Sequence, residues 1–245
     1  MLFQKELRRF WRIALQTVAA PALTALLYLV IFKHVLGDHQ AVANVSYPVF
    51  LMPGLVMMSI LQNAFANSSS SIVQSKMTGS VIFLLLSPLS HRAFYWAFSL
   101  AAMVRGLVVG LAVWLITLPF VWTMPVHPLW ALAFAAAGGA VLGALGLLAG
   151  IGSSHWDHLA AYQNFLILPL TMLSGVFYSI HSLPPFWAKV SLYNPVFLMI
   201  DGFRYGFTGV SDANPLASLA FLLLFFAALS WLCSALIARG WKLRY

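Results

Sequence analysis

Long apolar runs, broken by short charged segments, dominate the chain. Twenty uncharged residues separate Arg12 from Lys33, and 37 separate Asp38 from Lys76. A further 51 lie between Arg105 and Asp157, 31 between Asp157 and Lys189, and 26 between Asp212 and Arg239. A helix that crosses a bilayer needs about 20 mostly apolar residues. A transmembrane β-barrel would need short alternating strands instead, and these runs do not alternate. The pattern predicts an all-α polytopic membrane protein with six spans: Ile13–Phe32, Tyr47–Phe65, Ala93–Val121, Leu129–Ile151, Tyr162–Ile180 and Leu216–Ala238. Pro48 and Pro53 fall in the first turns of the second span, and Pro169 lies inside the fifth. The third is longer than a bilayer requires, so it tilts or extends beyond it.

Three segments outside the spans carry patterns of their own. In residues 1–12, Phe3, Leu7, Phe10 and Trp11 recur at helical spacing, with Lys5, Arg8, Arg9 and Arg12 mostly on the other side. That is an amphipathic helix suited to the headgroup region, or a basic flank of the first span. A cleaved signal peptide does not fit, because the following apolar run exceeds an h-region and Pro21 follows the small residues Ala19 and Ala20. The segment 67–92 holds Val81–Leu86, too short to span and expected as a short interfacial or buried helix. The segment 181–215, with Leu183-Pro184-Pro185 and Asn194-Pro195, is expected to form one or two short re-entrant helices, backbone that is tolerated only where protein or water covers it.

Composition agrees. The chain is 62% hydrophobic and 7% charged, with mean hydropathy +0.91. A soluble domain carries about 25% charged residues, and disorder requires low hydrophobicity, so both classes are excluded. The net charge of +8 does not indicate nucleic acid, because the bases stand at the ends of apolar runs instead of forming one face. With the N-terminus inside, the inner segments hold nine Lys and Arg (positions 5, 8, 9, 12, 76, 92, 239, 242 and 244). The outer segments then hold three, Lys33, Lys189 and Arg204, which places both termini in the cytoplasm. Six tryptophans, among them Trp11, Trp122 and Trp241, lie near span ends, as interfacial aromatics do.

Candidate chemistry is sparse. The five lysines follow Gln4, Phe32, Ser75, Ala188 and Trp241, so no Gly-Lys pair and no phosphate-binding loop exists, and any ATP must be bound by a partner. Arg105 lies deep in the third span, where a charge faces a cavity, a partner or the bundle interior. Because no acid lies within a span, a backbone carbonyl, an outer-loop acid or an anionic ligand must serve it. His155-Trp156-Asp157-His158 lacks a third spaced ligand group for a metal, and reads as a solvated inner loop. Ser68–Ser71 reads as a helix end or a polar interior face, and Cys233 as packing. Glycine pairs four apart (106/110, 139/143, 146/150, 202/206) permit close helix packing, within one subunit or at a seam between subunits.

Three segments resemble a known family. Tyr47-Pro48 through Pro53-Gly54-Leu55-Val56-Met57-Met58-Ser59, with Asn63-Ala64 and Ala66-Asn67, resembles the second span of ABC-2 type permeases, in the subgroup of YadH-like and nodulation-factor exporter permeases. Leu84-Leu85-Leu86-Ser87-Pro88-Leu89-Ser90 is similar to the family's LL-x-SP-x-S inner segment, with Val81-Ile82-Phe83 where the family often has Glu. Leu168-Pro169-Leu170-Thr171 through Ser174-Gly175-Val176-Phe177-Tyr178-Ser179, then Leu183-Pro184-Pro185, Asn194-Pro195 and Asp201-x-x-Arg204-Tyr205-Gly206, is the most specific match. The likeness covers essentially the whole chain as one ABC-2 transmembrane domain, residues 1–245.

The resemblance implies a permease subunit of an ATP-driven exporter in a bacterial inner membrane, paired with a second copy of itself and two cytoplasmic ABC ATPase subunits. ATP and Mg would be bound by those partners, with no cofactor and no catalytic site in this chain. It implies a coupling segment at Gln74–Ser90, with Lys76, Thr78, Gly79, Leu85, Ser87 and Pro88 toward the ATPase and Asp157 as a second contact. It implies an amphiphilic or lipid-linked cargo moved by alternating access. Arg105, Tyr178, Asp201 and Arg204 are the expected path or gate residues, with Tyr162, Asn164 and Thr171 as further lining. An ion-coupled transporter is the first rival class, but it usually shows inverted repeats and intramembrane acids. A membrane-embedded enzyme is the second, but it needs a metal cluster or a nucleophile with its base.

Overall fold

Within hydrocarbon a backbone must satisfy its own hydrogen bonds, so the apolar runs can fold only as helices or a closed barrel. In the computed structural model, residues 2–36, 40–42, 45–81 and 90–242 are described. Helix α1 (Leu2–Arg12) turns at Ile13 into α2 (Ala14–Leu36). A short antiparallel hairpin, β1 (Gln40–Val42) with β2 (Val45–Ser46), leads into α3 (Tyr47–Met77). There follow α4 (His91–Thr117), α5 (Pro128–Gly152), α6 (Trp156–Tyr162), a π-helical stretch (Gln163–Ile167) and α7 (Leu168–Met172). A 3-10 turn (Ile180–Ser182), α8 (Pro185–Leu192), α9 (Pro195–Thr208) and α10 (Pro215–Ala238) complete the order. The expected short helix at Val81–Leu86 falls outside the described residues beyond Val81.

Among the described residues, five helices are long and apolar enough to cross a membrane: α2, α3, α4, α5 and α10. Helix α3 runs on past the expected end at Phe65 to Met77, 31 residues in all. At about 1.5 Å per residue it is roughly 46 Å long, more than the roughly 30 Å of hydrocarbon, so its last turns project beyond the bilayer. The span expected at Tyr162–Ile180 differs. Its helical part starts earlier, at Trp156, and ends at Met172, in pieces of 7, 5 and 5 residues. The chain then leaves the helix through Leu173 and Gly175, the latter at φ +71°, where a side chain would be strained. Asn194 closes this break. Its Nδ2 donates to Leu170 O at 3.3 Å and Ser174 Oγ at 2.9 Å, while its Oδ1 caps α9 at Val196 N, 3.0 Å away. Asn214, also followed by Pro, caps α10 in the same way.

Helices α3 and α5 form the centre: 78% and 72% of their most apolar windows are buried, against 17% for α2 and 22% for α10. The central helices are close because their contacts are small. Gly146 and Gly150 lie against Phe65, Ser69 and Ile72 of α3, and Gly106 and Gly110 against Ile60. On α9, Gly202 faces the Phe134 ring of α5, and a Cβ at Gly206 would stand 2.6 Å from Ala131 N. Gly139 and Gly143 lie against Met103 and Ala102 of α4, so each of the four glycine pairs packs against a helix of the same chain. The carbonyl of Gly206 also accepts from His127 N at 2.8 Å, joining α9 to the start of α5.

Helix α1 and the end of α10 lie at one end of the bundle. There Arg9 meets Gln74, Lys76 meets the end of α5, and Lys242 Nζ donates to Gly152 O at 3.3 Å. At the other end Lys33 Nζ donates to Phe120 O at 3.0 Å, and Asp212 binds Ser179 and Ile180.

Adding a methyl at Gly202, where the Phe134 ring leaves no room, is expected to cost about 1–3 kcal/mol. At Gly139 the nearest atoms to a new Cβ lie 3.6 Å away, so Gly139→Ala is expected to be neutral. Thermal unfolding of both variants in detergent checks the contrast.

Candidate functional site

Helix α3 carries a polar stripe along one face: Ser59, Asn63, Asn67, Ser71, Gln74 and Thr78, at intervals of three or four residues. The inner half of this stripe receives α1. The buried face of α1 is Leu2, Glu6 and Phe10, while Trp11 is 63% exposed. Of the apolar face expected from Phe3, Leu7, Phe10 and Trp11, Phe10 is buried, Phe3 and Leu7 are half-buried and Trp11 is exposed, and α1 docks on protein through an edge that includes an acid. Glu6 accepts from Ser71 Oγ at 2.7 Å and pairs with Arg9 at 3.5 Å. Arg9 donates to Asn67 O at 2.9 Å, Asn67 Oδ1 at 3.2 Å and Gln74 Oε1 at 3.3 Å. Burial lowers the pKa of Arg9 below its ordinary value, against the upward pull of Glu6.

Arg105 reaches the same place from α4. Its Nη1 donates to Asn67 Oδ1 at 3.2 Å and its Nη2 to Asn63 Oδ1 at 3.5 Å, and its guanidinium carbon lies 5.7 Å from the centre of the Phe10 ring. Two side-chain amides therefore serve Arg105, not a backbone carbonyl or an outer-loop acid. Two guanidiniums converge on one amide oxygen, with Glu6 as the adjacent anion, and Arg105 Nε has no partner among the described residues. The signal that points to this cluster is the stripe itself, together with Glu6, the one acid in the first 37 residues.

The residues expected to face an ATPase divide. Lys76 points inward instead: its Nζ donates to the carbonyls of Gly150, Ile151 and Ser153 at 3.1, 2.5 and 2.9 Å. The carbonyls at a helix C-terminus lack partners and carry partial negative charge, and a buried ammonium satisfies three of them at once. Thr78 caps α3, with Oγ1 donating to Gln74 O at 2.9 Å and lying 2.9 Å from Ser80 Oγ. Gly79 follows at φ +68° with open space around it. Asp157 is exposed in the first turn of α6, beside His155 and His158. Leu85, Ser87 and Pro88 lie outside the described residues.

The four path candidates do not share one site. Arg204 is buried at the opposite end from α1, its Nε donating to Phe50 O at 3.2 Å and its Nη2 to Gly175 O at 2.6 Å, with its guanidinium 3.7 Å above the Phe50 ring. Burial lowers it to about 10, opposed by Asp201, Asp212 and Tyr47, so it is charged at neutral pH. Asp201 accepts from Ser211 Oγ at 2.7 Å and from the backbone of Asp212 and Ala213, both at 3.0 Å, which folds the loop before α10. Burial raises its carboxyl above the usual value, and those hydrogen bonds oppose it. Tyr178 lines an apolar groove of about 350 Å3 with Leu173, Leu183 and Trp187. Thr171 is fully buried and bonded to Leu168 O, whereas Tyr162 and Asn164 are exposed.

A second groove, about 300 Å3, opens sideways between α2, α3 and the π-helical stretch. Its polar lining is Thr24, Tyr28, Ser59, Gln62, Asn63 and Gln163, set among Pro21, Leu55 and Met58. Gln62 Nε2 is buried there without a partner among the described residues. The pattern had given neither Gln62 nor Gln163 a role, although each is an amide inside a long apolar run.

Comparison with known proteins agrees with this architecture. Residues 1–208 match the family described as ABC-2 type transporter. The chain is 38% identical over 245 residues to the inner membrane transport permease YadH of Escherichia coli K12, covering 99% of this chain and 95% of that protein. Proteins of the same name from Escherichia coli O157:H7 and Shigella flexneri match to the same extent.

Asn67→Leu removes the oxygen that both arginines share, and is expected to cost about 2–3 kcal/mol. Asn67→Asp keeps the shape and adds a charge between two guanidiniums, so it is expected to raise the unfolding temperature. Thermal melts of the two variants, opposite in sign, check the assignment.

Proposed function

The chain belongs to the ABC-2 type transporter family and is a membrane permease subunit of an ABC transporter; from that premise we propose that it exports an amphiphilic or lipid-linked molecule through the sideways groove beside α2. The observation that carries this reading is the buried, unpartnered amide of Gln62 in that groove. An unpaired amide within hydrocarbon is costly, and a cargo that offers a hydroxyl or carbonyl beside an apolar body relieves the cost. The groove lining mixes polar and apolar groups in the same way, and it opens laterally, where a lipid-borne molecule arrives.

The family implies an ABC ATPase partner and a dimeric arrangement. In this proposal a second copy pairs with this chain, and two ATPase subunits dock at the end that holds both termini. That end is the cytoplasmic one by the count of Lys and Arg. The segment from Thr78 to Ser90, with Leu85, Ser87 and Pro88, seats in the ATPase and receives its movement, and Asp157 makes a second contact. ATP closes the ATPase pair, α3 transmits the shift along its length, and the groove changes the side it faces. Such coupling requires that the segment contact the ATPase differently in the two states. The chain itself hydrolyses nothing in this scheme, since its lysines form no phosphate-binding loop.

Reconstitution with the ATPase tests the proposal. Gln62→Leu is expected to lower transport by about tenfold, the loss of one buried hydrogen bond, with ATPase activity retained. Leu85→Glu is expected to leave the complex assembled while ATP hydrolysis no longer drives transport. Mass spectrometry of molecules retained by the assembled complex identifies the cargo, and a retained molecule that photo-crosslinks from position 164 but not from 62 or 63 refutes the groove assignment.

A further inference from the structure

The end of the bundle that holds α1 carries more positive charge than the chain can pair. Helix α1 lines a cavity of about 690 Å3 with Lys5, Arg8, Arg9 and Arg12 and one acid, Glu6, and its far wall includes Gln74 and Thr78. Arg9 is engaged by Glu6, Asn67 and Gln74. Lys5, Arg8 and Arg12 form no ion pair among the described residues. The acids of the chain leave them little choice. There are five: Glu6 is held by Ser71 and Arg9, and Asp201 and Asp212 are bound in the loops of the opposite end. Asp38 follows the far end of α2 in sequence, and Asp157 opens α6. Residues 82–89, which follow the cavity wall, contain no acid at all.

Apolar side chains stand exposed next to these bases along the chain. Beyond Arg12 the chain passes Ile13 and Leu15, 45% and 86% exposed, and Trp11 beside it is 63% exposed. A cationic recess that ends at Arg12 is therefore followed directly in the chain by the exposed apolar start of α2. Arginine forks match phosphate oxygens, and cavities of about 300–1,000 Å3 suit small ligands. We propose that this cavity binds the phosphate of an anionic phospholipid, whose acyl chains lie along the exposed face of α2. The bound phosphate offsets part of the charge of Lys5, Arg8 and Arg12 and holds α1 against α3. Thr78 and Ser80 line the same cavity, so the lipid also sits next to the segment assigned to the ATPase. That last consequence rests on the proposed coupling segment; the lipid site itself does not.

The purified full-length chain in nanodiscs of phosphatidylcholine with graded phosphatidylglycerol provides the test, read by native mass spectrometry of retained lipid and by thermal unfolding. A Lys5→Gln/Arg8→Gln/Arg12→Gln variant is compared with Arg92→Gln/Arg239→Gln/Lys242→Gln, which removes the same charge outside the cavity. The cavity variant is expected to lose on the order of a hundredfold in apparent affinity for phosphatidylglycerol, roughly fivefold per base, and the comparison variant to lose little. Equal retention by all three proteins, or an equal loss in both variants, overturns the proposal. With the unmodified chain, salt near 1 M, where the screening length is about 3 Å, is expected to release the lipid. Retention that ignores salt also overturns it, which covers a cavity variant that fails to fold. Inorganic phosphate or glycerol 3-phosphate that displaces the lipid and stabilises the chain equally well assigns the site to a free phosphate instead. Unchanged lipid retention with loss of the copurifying ATPase assigns it to a protein surface.

Discussion

Hydrocarbon offers no hydrogen-bond partner to a polar group, and the structure is arranged around that constraint. Each cation drawn into the bundle finds oxygen supplied by another part of the chain. Arg105 finds the amides of Asn63 and Asn67, Lys76 finds the last carbonyls of α5, and Arg204 finds the carbonyls of Phe50 and Gly175. Each of these contacts joins segments far apart in sequence. The polar groups that an apolar medium penalises most are therefore the ones that decide which helices touch and in what register.

Helix α3 is the element on which most of these contacts meet. One face lies on α5 through glycines, the next on α4, and its polar stripe receives α1. At one end it holds Tyr47, whose hydroxyl donates to Phe177 O at 2.8 Å, and at the other it holds Lys76 on α5. It thus connects the loop after α7 with the end that carries α1. A rigid, deeply buried helix tied at both ends moves as a body, which is what transmission of a push from one side of a membrane to the other requires. The thinly covered helices α2 and α10 are the complement: their exposed apolar faces suit lipid or another subunit.

The sideways groove and the cationic cavity are separate features on either side of Asn67. Asn63 lines the groove, Arg9 lines the cavity, and Asn67 lies between them in the stripe. A change in how α1 sits on α3 therefore alters hydrogen bonds that begin within one turn of the groove. This places the proposed lipid site and the proposed cargo path on one continuous set of polar contacts, through Arg9, Asn67, Arg105 and Asn63.

The pattern of apolar and charged residues alone determined that the chain is a helical membrane protein, where four of its spans lie to within a few residues, and that α3 exists, because burial of apolar runs in lipid is a local property of composition and length. It left the serine run as either a helix end or a polar interior face, and it holds no Gly-Lys pair of a phosphate-binding loop. Tertiary structure decided the rest. Where α3 ends was hidden, because Ser68–Ser71 looks polar until Gly143, Glu6 and α3's own carbonyls take its hydroxyls. The passage from Trp156 to Met172 broke up: a π-helical stretch interrupts it at Gln163–Ile167, and the turn that follows is held by Asn194, 20 residues away from Ser174. Lys76 read as a cytoplasmic base, yet it caps a helix 74 residues further along the chain. Periodicity reports which side of a helix is apolar, but not which distant carbonyl a long side chain will reach, and in a medium without water that choice is made by the partners the fold brings close.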